Sequence, residues 1–163
     1  MELVTATEEH LRTLMQWLPD AGACKQWGGP SFRYPFTTET FLEDCRWPEL
    51  ASYTLVDSAG APSAFGQYYE RLGHCHLGRL IVAPQARGCG LGKQLIRQLV
   101  GTGCDALHLD RCSLFVLRNN GAALALYQGL GFTLSEYPGA PDWLAECFYL
   151  VAPATKIIGE GIS

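Results

Sequence analysis

Leu80-Ile-Val-Ala-Pro-Gln-Ala-Arg-Gly-Cys-Gly-Leu-Gly-Lys93 joins an apolar strand-like run to a helix start through glycines at 88, 90 and 92. Glycines there let the backbone approach a ligand, and free amides at the positive end of the helix dipole suit phosphate. Arg87 and Lys93 add charge. From Arg71 to Gly103 there are five basic residues and no acid, although the whole chain carries a net charge of −4. The stretch is a local anion site on an otherwise repelling surface, and the chain lacks the bulk basic footprint of a nucleic-acid binder. Two familiar phosphate loops fail on spacing. A Walker A loop needs glycine where Arg87 stands and Ser or Thr where Gln94 stands. A GxGxxG dinucleotide fingerprint meets Lys93 in one register and Leu95 in the other. What remains is QxxGxG, at Gln85-Ala-Arg-Gly88-Cys-Gly90.

The surrounding chain of 163 residues is 48% apolar and 17% charged, which fits one domain with a real core rather than a disordered polymer. No apolar run approaches the roughly 20 residues that span a bilayer, and no signal segment opens the sequence, so a cytoplasmic protein is expected. Seven cysteines at irregular gaps, with no CxxC pair, indicate neither a disulfide framework nor a zinc site. Cys75 lies between His74 and His76, but alternation along a strand keeps three such ligands from converging, and no metal is expected.

Working outward from the glycine loop, Leu91, Leu95, Ile96, Leu99 and Val100 repeat at helical spacing, with Gly101 and Gly103 as the expected stop. Upstream, Ser52–Val56, Ser63–Glu70 and Cys75–Val82 form an antiparallel meander with a turn at 57–60. The chain opens with a strand at Leu3–Ala6, a helix from Thr7 to Leu18 stopped by Pro19, an aromatic loop from Trp27 to Phe36, and a helix from Thr37 to Cys45. Downstream, Cys112–Leu117 is a buried strand, Asn120–Leu130 a helix, and Phe132–Tyr137 and Cys147–Val151 the last strands. Residues 1–152 make up the expected domain, and 153–163 a tail without signal.

QxxGxG and a second motif, Asn120-Gly-Ala-Ala-Leu-Ala-Leu-Tyr127-Gln-Gly-Leu-Gly131-Phe132, together resemble the GNAT family of N-acetyltransferases, whose corresponding motif is NxxAxxLYxxxGF. The order of elements is also similar, over Leu3 to Val151. The resemblance implies an α/β fold with a mixed, mostly antiparallel sheet of about seven strands, flanked by four helices and splayed between strands 4 and 5. It implies transfer of the acetyl group of acetyl-CoA to a primary amine by direct attack. Leu80, Ile81 and Val82 match the strand segment whose backbone holds pantetheine. The amides of Gly88, Cys89, Gly90, Leu91, Gly92 and Lys93 match the pyrophosphate arm, with Arg87 beside it.

Tyr127 matches the tyrosine facing the departing thiolate, and Asn120 a residue that helps bind CoA, though Asn is equally a favoured helix cap. The base departs from the family pattern. The fourth-strand glutamate position holds His76 and the fifth-strand one Phe115. His76, titrating near pH ~6.5, is one candidate base; it reads equally as a satisfied strand histidine. Glu70 is the second. Trp27, Tyr34, Phe36, Glu70 and Tyr137 are the expected acceptor-side residues, with the aromatics open to a plain packing role, and Glu43, Asp44 or Glu70 are available to attract a cationic amine. The Trp27-Gly-Gly-Pro30 stretch with Pro35-Phe36 is similar to acetyltransferases of the ribosomal-protein amino-terminal group. A small-molecule amine and a peptide amino terminus both remain open as acceptors, as does a homodimer. Two other readings stand beside this one: a non-catalytic acyl-CoA-binding module, and a thiol enzyme using Cys89 at the helix start.

Overall fold

The structure, a computed structural model, describes residues 1–159. Seven strands, β1 (Glu2–Thr5), β2 (Ala51–Val56), β3 (Pro62–Arg71), β4 (His74–Val82), β5 (Arg111–Leu117), β6 (Thr133–Ser135) and β7 (Cys147–Pro153), form one sheet in the order β1-β2-β3-β4-β5-β7-β6. β1 with β2, β2 with β3, β5 with β7 and β6 with β7 pair antiparallel. β4 and β5 pair parallel, with a register of Cys75–Leu77 against Cys112–Leu114. The mixed α/β architecture expected from the sequence is present, but with six helices among the described residues rather than four: α1 (Glu8–Met15), α2 (Ala21–Gly28), α3 (Thr38–Asp44), α4 (Leu91–Leu107), α5 (Gly121–Leu130) and α6 (Ala154–Ile158).

Two compact units can be told apart. The first comprises Met1–Tyr68 and Arg79–Leu95, the second Tyr69–Gly78 and the described residues from Ile96 on. In the first, α1 is set by a capping box: the Thr7 side chain accepts from the His10 amide while His10 Nδ1 accepts from the Thr7 amide. α2 covers a stretch to which the sequence reading assigned no element, and it runs into the start of the expected Trp27–Phe36 loop. Asp20 caps it by accepting from the Ala23 amide, a cap whose apolar stripe is too short to be seen as periodicity. Trp27 therefore ends a helix rather than opening a loop. Its ring stacks on Phe41 at 5.6 Å, and Phe32 and Phe36 meet Phe41 edge-on at 5.3 and 4.9 Å. Phe41 is fully buried among them, with Leu11, Leu14 and Phe65 in the same cluster.

In the second unit α4 does not stop at Gly101 or Gly103. It runs to Leu107, and the chain leaves it through His108 at φ +57°. A glycine inside a helix costs about 1 kcal/mol, which a long buried face outweighs; Ile96, Leu99, Val100 and Cys104 are all buried. A Cβ at Gly101 would stand 3.9 Å from Ile158, so this face of α4 is covered by α6. Of the expected tail at 153–163, residues 160–163 lie outside the described residues. β7 runs on to Pro153, and α6 follows at once with Ala154 and Ile157 buried. β6 is shorter than the expected Phe132–Tyr137: Phe132 is buried before it, and Tyr137 lies beyond it.

Truncating Phe41 to Ala removes the ring shared by three aromatic neighbours. A loss of about 3–5 kcal/mol in denaturant unfolding is expected, as for other buried phenylalanines.

Candidate functional site

In the first unit, β4 ends at Val82 and α4 begins at Leu91, with a single 3-10 turn at Pro84–Ala86 between them. Gly88 and Gly90 adopt φ +83° and +80°, a region closed to most side chains, and a Cβ built on either meets nothing within 4 Å. Packing does not require glycine there. The backbone path does, and it leaves the loop open. Gln94 N–H bonds Gly90 O at 3.2 Å, closing the first turn of α4, and the amides ahead of it have no preceding turn to bond. Arg87, Cys89 and Lys93 are exposed around them, and Arg87 is tethered by Nε donating to Val82 O at 3.2 Å. These residues fit a phosphate-bearing ligand: unbonded donors, a helix dipole and two cations at an accessible loop.

β4 next to this loop is locally irregular, with Arg79 at φ +50°. Trp27 Nε1 donates to Arg79 O at 2.8 Å, so its polar atom is spent holding this backbone. Arg79 donates to Gln67 Oε1 at 3.1 Å, and Gln67 in turn donates to Cys45 O and Ser52 Oγ. Tyr34 donates to Pro19 O and packs edge-on against Phe36, which itself rests on Phe41. Trp27 and Phe36 are thus committed to packing, and Tyr34 spends its hydroxyl on the backbone. Glu43 and Asp44 are not free to draw in a cation. Arg33 bridges them, at 2.9 Å to each, and holds the Asp44 carboxyl below its usual range.

The second unit gathers the other expected residues. His76 is buried, with Nδ1 2.8 Å from Ser113 Oγ, and its ring lies 4.5 Å from Phe115 and 5.3 Å from Tyr69. Burial first, and then the positive charge of Arg71 and His74, push its pKa down to about 3. The expected titration near pH 6.5 is therefore absent, and His76 is neutral through the physiological range. Tyr137 belongs to the same cluster, 5.7 Å from Phe115 and 5.1 Å from Tyr149. Arg71, which sequence reasoning counted only as part of a basic stretch, donates to the hydroxyls of Tyr137 and Tyr69. Glu70 is exposed, and strand alternation turns it to the face opposite Tyr69 and Arg71. On α5, Asn120 caps the helix by accepting from the Ala123 amide at 3.3 Å. Tyr127 is half-buried, and burial raises its phenol to about 12. Cys89 stands exposed and no histidine is bonded to it, which leaves the thiol-enzyme reading without its base.

A family model described as the acetyltransferase (GNAT) family matches residues 9–132. The chain belongs to that family. Among curated relatives of this GNAT chain, a mycothiol acetyltransferase of Salinispora arenicola is 40% identical over 92 residues, 53% of this chain. This chain spans only 30% of that relative's length. An N-acetyltransferase 9-like protein of Nematostella vectensis is 26% identical over 117 residues, 72% of this chain and 52% of its own length. Solved structures share the GNAT fold end to end. A spermidine N-acetyltransferase from Vibrio cholerae, in complex with CoA and spermine, superposes with a TM-score of 0.73 at 15% identity, covering 97% of this chain and 98% of its own. The ribosomal-protein-S18-alanine N-acetyltransferase from Escherichia coli gives 0.67 at 20% identity, covering 99% and 98%. Among the described residues no helix is long and apolar enough to cross a membrane, and no cluster of three metal-ligating side chains occurs.

The depressed His76 pKa has a sign for stability. The unfolded chain binds this proton below about pH 6.5 and the folded chain only near 3, so stability falls as pH drops through that window. Between pH 7 and 5 the contribution is on the order of 2 kcal/mol. His76→Asn should flatten the pH dependence of urea unfolding by about that amount.

Proposed function

We propose that this GNAT chain is an acetyl-CoA-dependent N-acetyltransferase acting on a primary amine in the cytosol. The observation that carries the reading is the open loop at Gly88–Lys93, whose unbonded amides, positive-φ glycines and two cations suit a pyrophosphate. The backbone of Leu80, Ile81 and Val82 would hold the pantetheine as an added strand, with Arg87 and Lys93 flanking the phosphates and Asn120 contributing from the start of α5. Acetyl-CoA supplies the acetyl thioester, and the amine displaces the thiol from it.

The protein's own part is proton handling. Tyr127, raised to about 12, stays protonated at neutral pH and is suited to give a hydrogen bond or proton to the departing sulfur. His76 is held neutral, so it accepts a hydrogen bond from the amine and orients it, but it is a poor store for the proton. Glu70 faces away from this cluster and carries no step. The acceptor must therefore arrive, or become, deprotonated largely on its own account. The runner-up, a module that binds acyl-CoA without turnover, is favoured by the absence of a carboxylate at 76 and 115.

Calorimetry with CoA and a thiol-release assay over a panel of amines separate these readings. Gly90→Val forces a β-branched residue to φ +80° and should weaken CoA binding at least tenfold, and Tyr127→Phe should lower kcat with CoA affinity retained. CoA binding without turnover of any amine would favour the binding module, and no CoA binding would defeat both. The kcat/KM profile should rise with the ionisation of the acceptor amine and show no inflection near pH 6.5. An inflection there that disappears in His76→Asn would restore His76 as a titrating base.

A further inference from the structure

The cluster around Arg71 has the shape of an aromatic box, and a cation of the protein's own already fills it. The guanidinium carbon lies 5.5 Å from the Tyr69 ring centroid, 5.3 Å from Phe115 and 5.7 Å from Trp143. Tyr137 meets Trp143 at 5.7 Å and Tyr149 at 5.1 Å, extending the same wall. Such a box stabilises an ammonium or guanidinium through ring quadrupoles. Arg71 is held there by single hydrogen bonds from its terminal nitrogens, at 2.9 Å to the Tyr137 hydroxyl and 3.3 Å to the Tyr69 hydroxyl. Of its five N–H donors these use two.

Nε is buried and has no partner, and so is the Tyr149 hydroxyl. Among the described residues no carboxylate is paired with Arg71. The acids that flank this wall in sequence are Glu70, Glu136 and Asp142, all three exposed, and the last two lie on the loop that lines an open cavity of about 920 Å³ beside Tyr137 and Tyr149. A partly buried guanidinium with spare donors and no counter-charge is an unusual expense in a folded protein, since a buried cation is normally paired. It lies close enough to His76 to depress that imidazole.

Resting on the transferase reading above, we propose that Arg71, with the hydroxyls of Tyr69, Tyr137 and Tyr149 around it, receives a carboxylate on the acceptor, so that the substrate is a small amine that carries a carboxyl group. The planar fork of Arg matches a carboxylate, and one such group neutralises the single positive charge. A polycationic amine would meet a like charge inside these aromatic surroundings, and would be disfavoured there.

The test compares matched acceptors: free amino acids, their carboxamides, the corresponding decarboxylated amines, and spermidine. Initial rates should favour the free carboxylate over its carboxamide at least tenfold in kcat/KM, expressed through KM. Arg71→Met should erase that preference while leaving CoA affinity by calorimetry unchanged, and Arg71→Lys should keep part of it. Carboxamides or spermidine turned over as well as the carboxylates, or a preference surviving Arg71→Met, would overturn the proposal. A readout without turnover uses the product side. Binding of N-acetyl amino acids and their amides is followed by saturation-transfer NMR, with Tyr137→Phe as a milder variant should Arg71→Met fold poorly. N-acetyl amino acids should bind more tightly than their amides, and Tyr137→Phe should weaken them selectively. CoA binding together with no discrimination between the two would overturn the carboxylate site and leave the transferase reading standing. Absent CoA binding would defeat the transferase reading instead.

Discussion

Where β4 gives way to α4, main-chain donors have no partner among the described residues. A helix cannot satisfy its first amides from within, and here the preceding backbone turns through left-handed glycines rather than folding back as a cap. Solvent or an anion must take up that deficit. Other features of the first unit keep this junction in place. Trp27 grips the carbonyl of Arg79, the Arg79–Gln67–Ser52 chain of hydrogen bonds ties β4 to β3 and β2, and Arg87 is folded onto Val82 O. The aromatic cluster around Phe41 supplies the rigidity behind Trp27. Polar preorganisation at the loop thus depends on apolar packing some way from it.

The second unit handles charge differently. His76 is kept neutral by burial and by a neighbouring guanidinium, and Tyr127, protonated at neutral pH like any phenol, has its pKa raised further by burial. Both groups are fixed in one protonation state across the physiological range, which suits donors and acceptors of hydrogen bonds better than it suits titrating bases. The cost falls on acid stability, since the unfolded chain takes up a proton that the folded chain refuses.

The open glycine loop before α4 was legible in the sequence because glycine spacing and a helix start are local signals. The seven-strand mixed sheet was legible for a related reason: short alternating runs and two motifs in fixed order constrain the topology. α2 was missed because its eight residues, Ala21–Gly28, bury only Cys24 and so leave no apolar period. The end of α4 was misjudged because Gly101 looks like a stop until α6 is known to cover it. Arg71 was missed as an individual for a different reason. Its meaning lies in what is not beside it, and the absence of a counter-charge among residues 69, 115, 137, 143 and 149 is a property of three-dimensional arrangement, invisible to spacing. The same holds for His76, whose residue type suggests titration near neutrality while its surroundings forbid it.

The seven thiols are also unevenly placed. Burial raises the pKa of Cys24, Cys45, Cys75, Cys104, Cys112 and Cys147, Cys45 and Cys112 to about 12, so these sulfurs stay protonated and respond sluggishly to electrophiles. Cys89 is exposed, and it sits between the two left-handed glycines of the loop before α4. A fluorophore or spin label added to the native protein would accordingly concentrate at that one position, without mutagenesis, and any ligand settling on the loop amides would shield it from modification.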